Sequence, residues 1–254
     1  MDPGGALTPP TETAGSDPGA GSETTEARDI VKYTFYRLRP EWRLLSPKDR
    51  EAGKTALVRV LDSPGEGLLL RTYSLVGLKA DVDFLVWSIG PQLEPIQELH
   101  SRIRGSPLGP YLDTPYSYLG MARRSEYLGE HSHGGEGTQT RRRPSDRRYL
   151  FVYPFVKKRE WYGLPFEERR KIMGEHFRIG HKYPGVDIHT GYSFGLDDME
   201  FILAFEADTP AEFLDLVTEL RPTEASRYTA RETPIFTCVR ASARRMLDLA
   251  EGVP

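Results

Sequence analysis

His176 is the residue whose type and place most readily suggest chemistry. It lies three residues after Met173 and four after Ile172, so a helical period puts its imidazole on the apolar face, aimed at the interior. Two readings are open for it: a core histidine satisfied by its neighbours, or a metal ligand. A single imidazole makes a poor zinc site, which draws three or four donors from the protein. It is an adequate axial ligand for haem, because the porphyrin supplies the other four donors. Tyr153 and Lys157 stand four apart around Pro154. A phenol facing a haem cavity can be oxidised to a radical and relay oxidation to a substrate carbon, and a lysine can hold a propionate carboxylate. The alternative is a buried strand tyrosine and a solvated lysine. Glu224 is either an acceptor for the free ring nitrogen of His176 or a surface carboxylate, and Arg227 serves either propionates or a surface ion pair. His131 and His133 form a His-x-His with no third ligand nearby, and Arg141 to Arg143 read as a solvated charge run. Dinucleotide, phosphate-loop and nucleophile-elbow motifs are absent.

These candidates sit on a chain that repeats itself. Glu41-Trp42-x-x-Leu45-x-x-x-Asp49-Arg50 recurs 119 residues later as Glu160-Trp161-x-x-Leu164-x-x-x-Glu168-Arg169, and Tyr73-Ser74 recurs at the same offset as Tyr192-Ser193. Gly77-Leu78 and Asp83-Phe84 answer Gly195-Leu196 and Glu200-Phe201, with the offset slipping to 118 and 117. Each half reads strand, helix, strand, strand, helix. Val31 to Tyr36 and Tyr149 to Phe155, rich in aromatic and β-branched residues, are the opening strands. Ser46-Pro47 with Asp49 predicts a helix start. Pro165 opens a helix to about Gly180, with Gly180 or Gly185 as its C-cap, and Pro91 to Arg104 and Thr209 to Arg221 are closing helices. The fold class expected is α+β, with tandem duplicated ferredoxin-like domains forming an α+β barrel that leaves a cavity between sheet and helices for a flat ligand. The boundaries read as a disordered tail over 1–27, an N-terminal domain over 28–105, a connector over 106–148 and a C-terminal, ligand-binding domain over 149–243.

The duplication supplies an internal control. Residues matched between halves, such as Trp42 and Trp161, report on the fold, whereas unmatched ones are candidates for function. His176 stands where the first half has Leu57, Tyr153 where it has Thr34, and Lys157 where it has Leu38.

Composition narrows the classes. A net charge of −3 gives no excess of positive charge for nucleic acid or an anionic membrane surface. The single cysteine, Cys238, excludes an intrachain disulfide and a cysteine-ligated iron–sulfur cluster, and fits a reducing compartment. Met1 to Thr25 has neither a basic nor an apolar signal region, and no apolar run approaches the roughly 18 residues of a membrane span. A cytoplasmic protein is expected.

Tyr153-Pro154-Phe155-Val156-Lys157, followed by Glu160-Trp161-Tyr162 and Glu175-His176, resembles the haem-site stretch of coproheme decarboxylases of the chlorite dismutase superfamily. Segments 193–200, 220–227 and 77–87 share the likeness, which covers about residues 29 to 240. The resemblance implies a homopentamer and a reaction that converts iron-coproporphyrin III, at once substrate and cofactor, to haem b. Two oxidative decarboxylations each consume hydrogen peroxide and release carbon dioxide. By motif matching His176 is the proximal iron ligand, and Glu224 stays the candidate partner of its free nitrogen, with a surface carboxylate as the alternative. Tyr153 is the residue whose radical acts on the propionates, Lys157 contacts one of them, and Trp161, Arg227 and Ile188 line the haem. The short spacing from Tyr153 to Trp161 is similar to the actinobacterial branch, in which a distal histidine acts as base towards peroxide. Ser125-Glu126-Tyr127-x-x-x-His131 resembles the segment carrying it, so His131 takes that role, with His133 as the competitor. Chlorite dismutases place an arginine on the strand leading into Tyr192-Ser193, and Asp187-Ile188-His189-Thr190 has none. A non-catalytic haem-binding barrel is the remaining alternative.

Overall fold

A computed structural model describes residues 27–127 and 143–253. The expected tail, apart from Ala27, lies outside the described residues, as do His131, His133, Arg141 and Arg142. The first half runs β1 (Ile30–Leu38), α1 (Pro47–Asp62), β2 (Leu69–Ser74), β3 (Phe84–Gly90), α2 (Leu93–Gly105) and β4 (Leu112–Ala122). The second runs β5 (Tyr149–Lys157), α3 (Arg159–Gly163), α4 (Phe166–Gly180), β6 (Val186–Tyr192), β7 (Phe201–Ala207), α5 (Pro210–Leu220), α6 (Glu224–Arg227), β8 (Thr229–Arg231) and β9 (Phe236–Arg240). Helix α7 (Ala243–Glu251) follows.

Strand order is β4-β1-β3-β2 in the first half and β9-β5-β7-β6 in the second, the same antiparallel ferredoxin-like order twice. Pairing of β2 with β9 and of β4 with β6 joins the halves edge to edge into a closed barrel, leaving short β8 on the far end of β5. Inward residues fill it, among them Tyr33, Phe35, Trp87, Val152, Ile202 and Phe236. Glu206 and His189 are also buried there. The Glu206 carboxylate accepts from Ser145 N at 2.8 Å and lies 2.8 Å from His189 Nε2, so neither polar group is stranded.

Residues 112–122, expected as connector, are the strand β4. Pro115 and Gly120 disguised it. Pro115 falls where the β1–β4 register shifts at a bulge between Phe35 and Arg37, a place that tolerates its missing N–H. At Gly120 a Cβ would come within 3.0 Å of Ser193 Oγ and 3.3 Å of Tyr192 O, so glycine permits β6 to close the seam.

The start of α1 is as read: Ser46 Oγ accepts from Asp49 N, with Pro47 opening the helix. The C-cap of α4 differs. The chain leaves at His181 in right-handed conformation, and Lys182 and Tyr183 continue with short backward bonds to Ile179 and Gly180, so no left-handed glycine is required.

The outer face of the first half is covered by α1, α2 and α7. Although it ends the second half in sequence, α7 packs against α1 on one side and β2 and β3 on the other. It buries Met246, Leu247 and Ala250 with Leu57 and Leu61, and Lys54 anchors it through Asp248 at 2.7 Å and Glu251 at 2.5 Å.

Candidate active site

Strand alternation decides which side chains of the second half meet the helices. Leu150, Val152 and Val156 of β5 point into the barrel, so Phe151, Tyr153, Phe155 and Lys157 point outward. Pro154 does not break the strand because β9 pairs only as far as Val152 and β8 takes over at Val156. The proline falls in the gap, where no neighbour needs its N–H. On β6, Val186 and Ile188 face outward while His189 turns inward to Glu206, which removes that histidine from the ligand side.

Tyr153 is buried, its ring stacked 5.9 Å from Phe205, and burial pushes its phenol up, so it keeps its proton. It borders an apolar cavity of 420 Å³ between the sheet and α5, lined by Phe151, Phe213, Val217 and Thr237 and by the Arg221–Glu232 ion pair. Ile188 belongs to the same apolar cluster as Tyr153, through Phe205, its partner across β6 and β7.

Lys157 ends β5 at a bulge. Its Nζ donates to Ala225 O at 3.1 Å and lies 4.4 Å over the buried ring of Trp161. Burial lowers its pKa to about 8, partly opposed by Glu200. His176, on α4, is lowered to about 4, first by desolvation and then by the charge of Lys157. The imidazole is therefore neutral at physiological pH with a lone pair to offer, which is what an iron ligand must be. Tyr153, Lys157, Trp161, Ile188 and His176 thus stand on the outer face of the second sheet or on the elements over it. Glu224 and Arg227 are elsewhere engaged: their side chains pair with each other at 3.2 Å on an exposed turn, and no hydrogen bond joins Glu224 to His176.

Sequence reasoning assigned no role to Glu200, Tyr162, Arg169 or Tyr127. Tyr127 stacks 5.9 Å from Phe166 and meets Trp161 edge-on, and Arg169 Nη1 holds its hydroxyl at 3.1 Å and Glu126 at 3.3 Å. The segment leading to His131 therefore starts against this site. Arg169, matched by Arg50, reads as scaffold under the internal control, so the sequence carried no signal for it.

The fold agrees with comparisons to known proteins. The family model described as chlorite dismutase matches residues 32–241, and the chain belongs to that family. Within it, the chain is 36% identical over 184 residues to the coproheme decarboxylase of Mycolicibacterium smegmatis (strain ATCC 700084 / mc(2)155), covering 72% of this chain and 78% of that one. Among solved structures, a mutant chlorite dismutase from Candidatus Nitrospira defluvii superposes with a TM-score of 0.80 at 24% identity, over 89% of this chain and 97% of that one. A protein of Thermus thermophilus described as a novel heme-binding protein superposes with a TM-score of 0.78 at 24% identity, over 89% and 95%.

Proposed function

We propose that this protein converts iron-coproporphyrin III to haem b with hydrogen peroxide, as a coproheme decarboxylase. The observation that carries the reading is the company of His176: a neutral imidazole beside a lysine suited to a carboxylate, on a sheet face that also presents a protonated, buried tyrosine. The site residues fit a tetrapyrrole bearing propionates. His176 would hold the iron, Lys157 a propionate, and Trp161 and Ile188 the macrocycle, with Arg227 at the exposed margin. When bound, the iron supplies the oxidising chemistry, with peroxide as oxidant. Tyr153 gives up its phenolic hydrogen and recovers one from the propionate carbon. The net change for each propionate is loss of carbon dioxide and two electrons to leave a vinyl group, while one peroxide and one further proton become two waters. His131, or His133 in its place, would serve as base towards peroxide. Glu224 would reach the free nitrogen of His176 only by leaving Arg227.

Chlorite as substrate is the second enzyme reading. The outward positions of β6 carry Val186 and Ile188 rather than an arginine, which favours the decarboxylase. The functional assembly is a homo-oligomer, a pentamer by family likeness, and the compartment is the cytoplasm. The free buried Cys238 fits a reducing milieu, and no helix among the described residues is long and apolar enough to cross a membrane. The test is to load the protein with iron-coproporphyrin III, titrate in peroxide and follow the porphyrins by mass spectrometry. Stepwise loss of two carboxyl groups ending in haem b is expected. Bleaching without decarboxylation would overturn the reading.

A further inference from the structure

Two carboxylates occupy matching places in the two halves. In the first, β1 and β3 stop pairing at Tyr36 and Phe84, and Leu38 N, two residues beyond, donates to Asp83 Oδ2 at 2.7 Å. In the second, β5 and β7 stop pairing at Phe155 and Phe201, and Lys157 N donates to Glu200 Oε2 at 2.7 Å. The carboxylate one residue before the third strand takes the N–H that the ladder leaves unserved, so the latch as such belongs to the fold. Three changes distinguish the second copy. Glu200 is one methylene longer than Asp83, the residue it latches is Lys157 rather than Leu38, and Tyr162, where the first half has Arg43, donates its hydroxyl to the same Glu200 oxygen at 2.6 Å. The carboxylate therefore joins the start of β7, the end of β5 and α3. Trp161, the ring under the Lys157 ammonium, is the neighbour of Tyr162.

We infer that Glu200 and Tyr162 are positioning residues, an inherited strand latch recruited to hold the Lys157 side chain over Trp161 and against Ala225 O, where it can receive a propionate. The consequence for substrate rests on the function proposed above; the positioning does not.

The experiment uses the full chain labelled with 13C-lysine, the Lys157 εCH2 signal being identified by its loss in Lys157→Met. The Trp161 ring displaces that signal from those of exposed lysines. Glu200→Ala is expected to return it to the exposed position and Tyr162→Phe to move it part of the way. Glu200→Gln, which keeps an acceptor, should largely restore it, and Asp83→Ala should lower the melting temperature without moving it. An unmoved signal in folded Glu200→Ala, or in Tyr162→Phe should the alanine variant not fold, overturns the inference, as does an equal shift in Asp83→Ala. In parallel, affinity for metal-free coproporphyrin III is measured by fluorescence. Glu200→Ala and Lys157→Met should each weaken it roughly tenfold and together no further, the non-additivity expected of residues acting as one unit. A displaced lysine signal with unchanged affinity would leave the positioning standing and remove Lys157 from the propionate role.

Discussion

Replacing Lys157 tests the substrate reading through a charge whose size can be worked out. Its pKa of about 8 is low for a lysine because burial penalises the ammonium. At pH 7 roughly nine-tenths of the side chains are still charged, at pH 8 half, and at pH 9 about a tenth. A carboxylate binds the charged form, so affinity should be flat below pH 7 and fall as pH rises through 8, by about tenfold for each further unit until the neutral form's affinity is reached. A charge-assisted hydrogen bond to a carboxylate is worth about 1.5 to 3 kcal/mol, or ~10- to 150-fold in affinity. Lys157→Met should therefore bind metal-free coproporphyrin III more weakly by that factor at pH 6.5 and lose the alkaline decline. Lys157→Arg, charged throughout, should also lose the decline while keeping part of the affinity, since its planar fork does not reproduce the bond to Ala225 O. The assay is porphyrin fluorescence titrated from pH 6 to 10, which involves neither iron nor peroxide. A native affinity that stays level across pH 8, or a methionine variant that retains the slope, would refute the assignment.

Tyr153→Phe preserves the stack on Phe205 and should leave iron-coproporphyrin uptake unchanged while abolishing vinyl products, checked by mass spectrometry after peroxide. His176→Ala should lose the iron-dependent shift in the absorption spectrum on loading but retain binding of the metal-free porphyrin, as followed by fluorescence. Lys54→Met, which copies the matching Met173, removes the cation that Glu251 and Asp248 share under α7 and leaves them to Arg50 and Arg244; losing the charged hydrogen bonds should cost about 2 kcal/mol and lower the melting temperature by roughly 6 °C in calorimetry.

The duplication was legible because both copies retain packing residues in register, Trp42 with Trp161 and Phe84 with Phe201; the Tyr73–Tyr192 match is not one of them, since Tyr192, opposite Phe201, stands where the first half has Ser74 opposite Phe84. The strand β4 was not, because the features that let it serve as a seam, a proline at a bulge and a glycine at a close approach, are those that mark a loop in an isolated sequence. His176, Tyr153 and Lys157 stood out as chemically unmatched positions. Glu200 did not, since its partner Asp83 made it look like part of the scaffold, and its added role depends on a tyrosine contact that no spacing reports. His189 shows the converse. It lies one residue from Ile188, yet strand alternation sends it into the barrel against Glu206.

The two halves differ in what comes after the fourth strand of each, and the difference falls at the site proposed around His176. Arg50 on α1 and Arg169 on α4 are matched residues. Arg50 pairs at 2.9 Å with Glu251 of α7, which follows β9, the fourth strand of the second half. Arg169 pairs with Glu126, which follows β4, the fourth strand of the first. Each half is thus met, at the same point of its first long helix, by the segment that leaves the other half. In the first half that segment is an amphipathic helix that lies between α1 and the sheet, and Leu57 is sealed beneath it with Met246 and Leu247. In the second, the described part of the segment ends at Tyr127 against Trp161 and Phe166, and His176, at the position of Leu57, lies under no counterpart of α7 among the described residues. The sheets and long helices are the same device twice. What differs is the segments that cover them, and an apolar Leu57 is what a helix-covered position requires in place of a histidine.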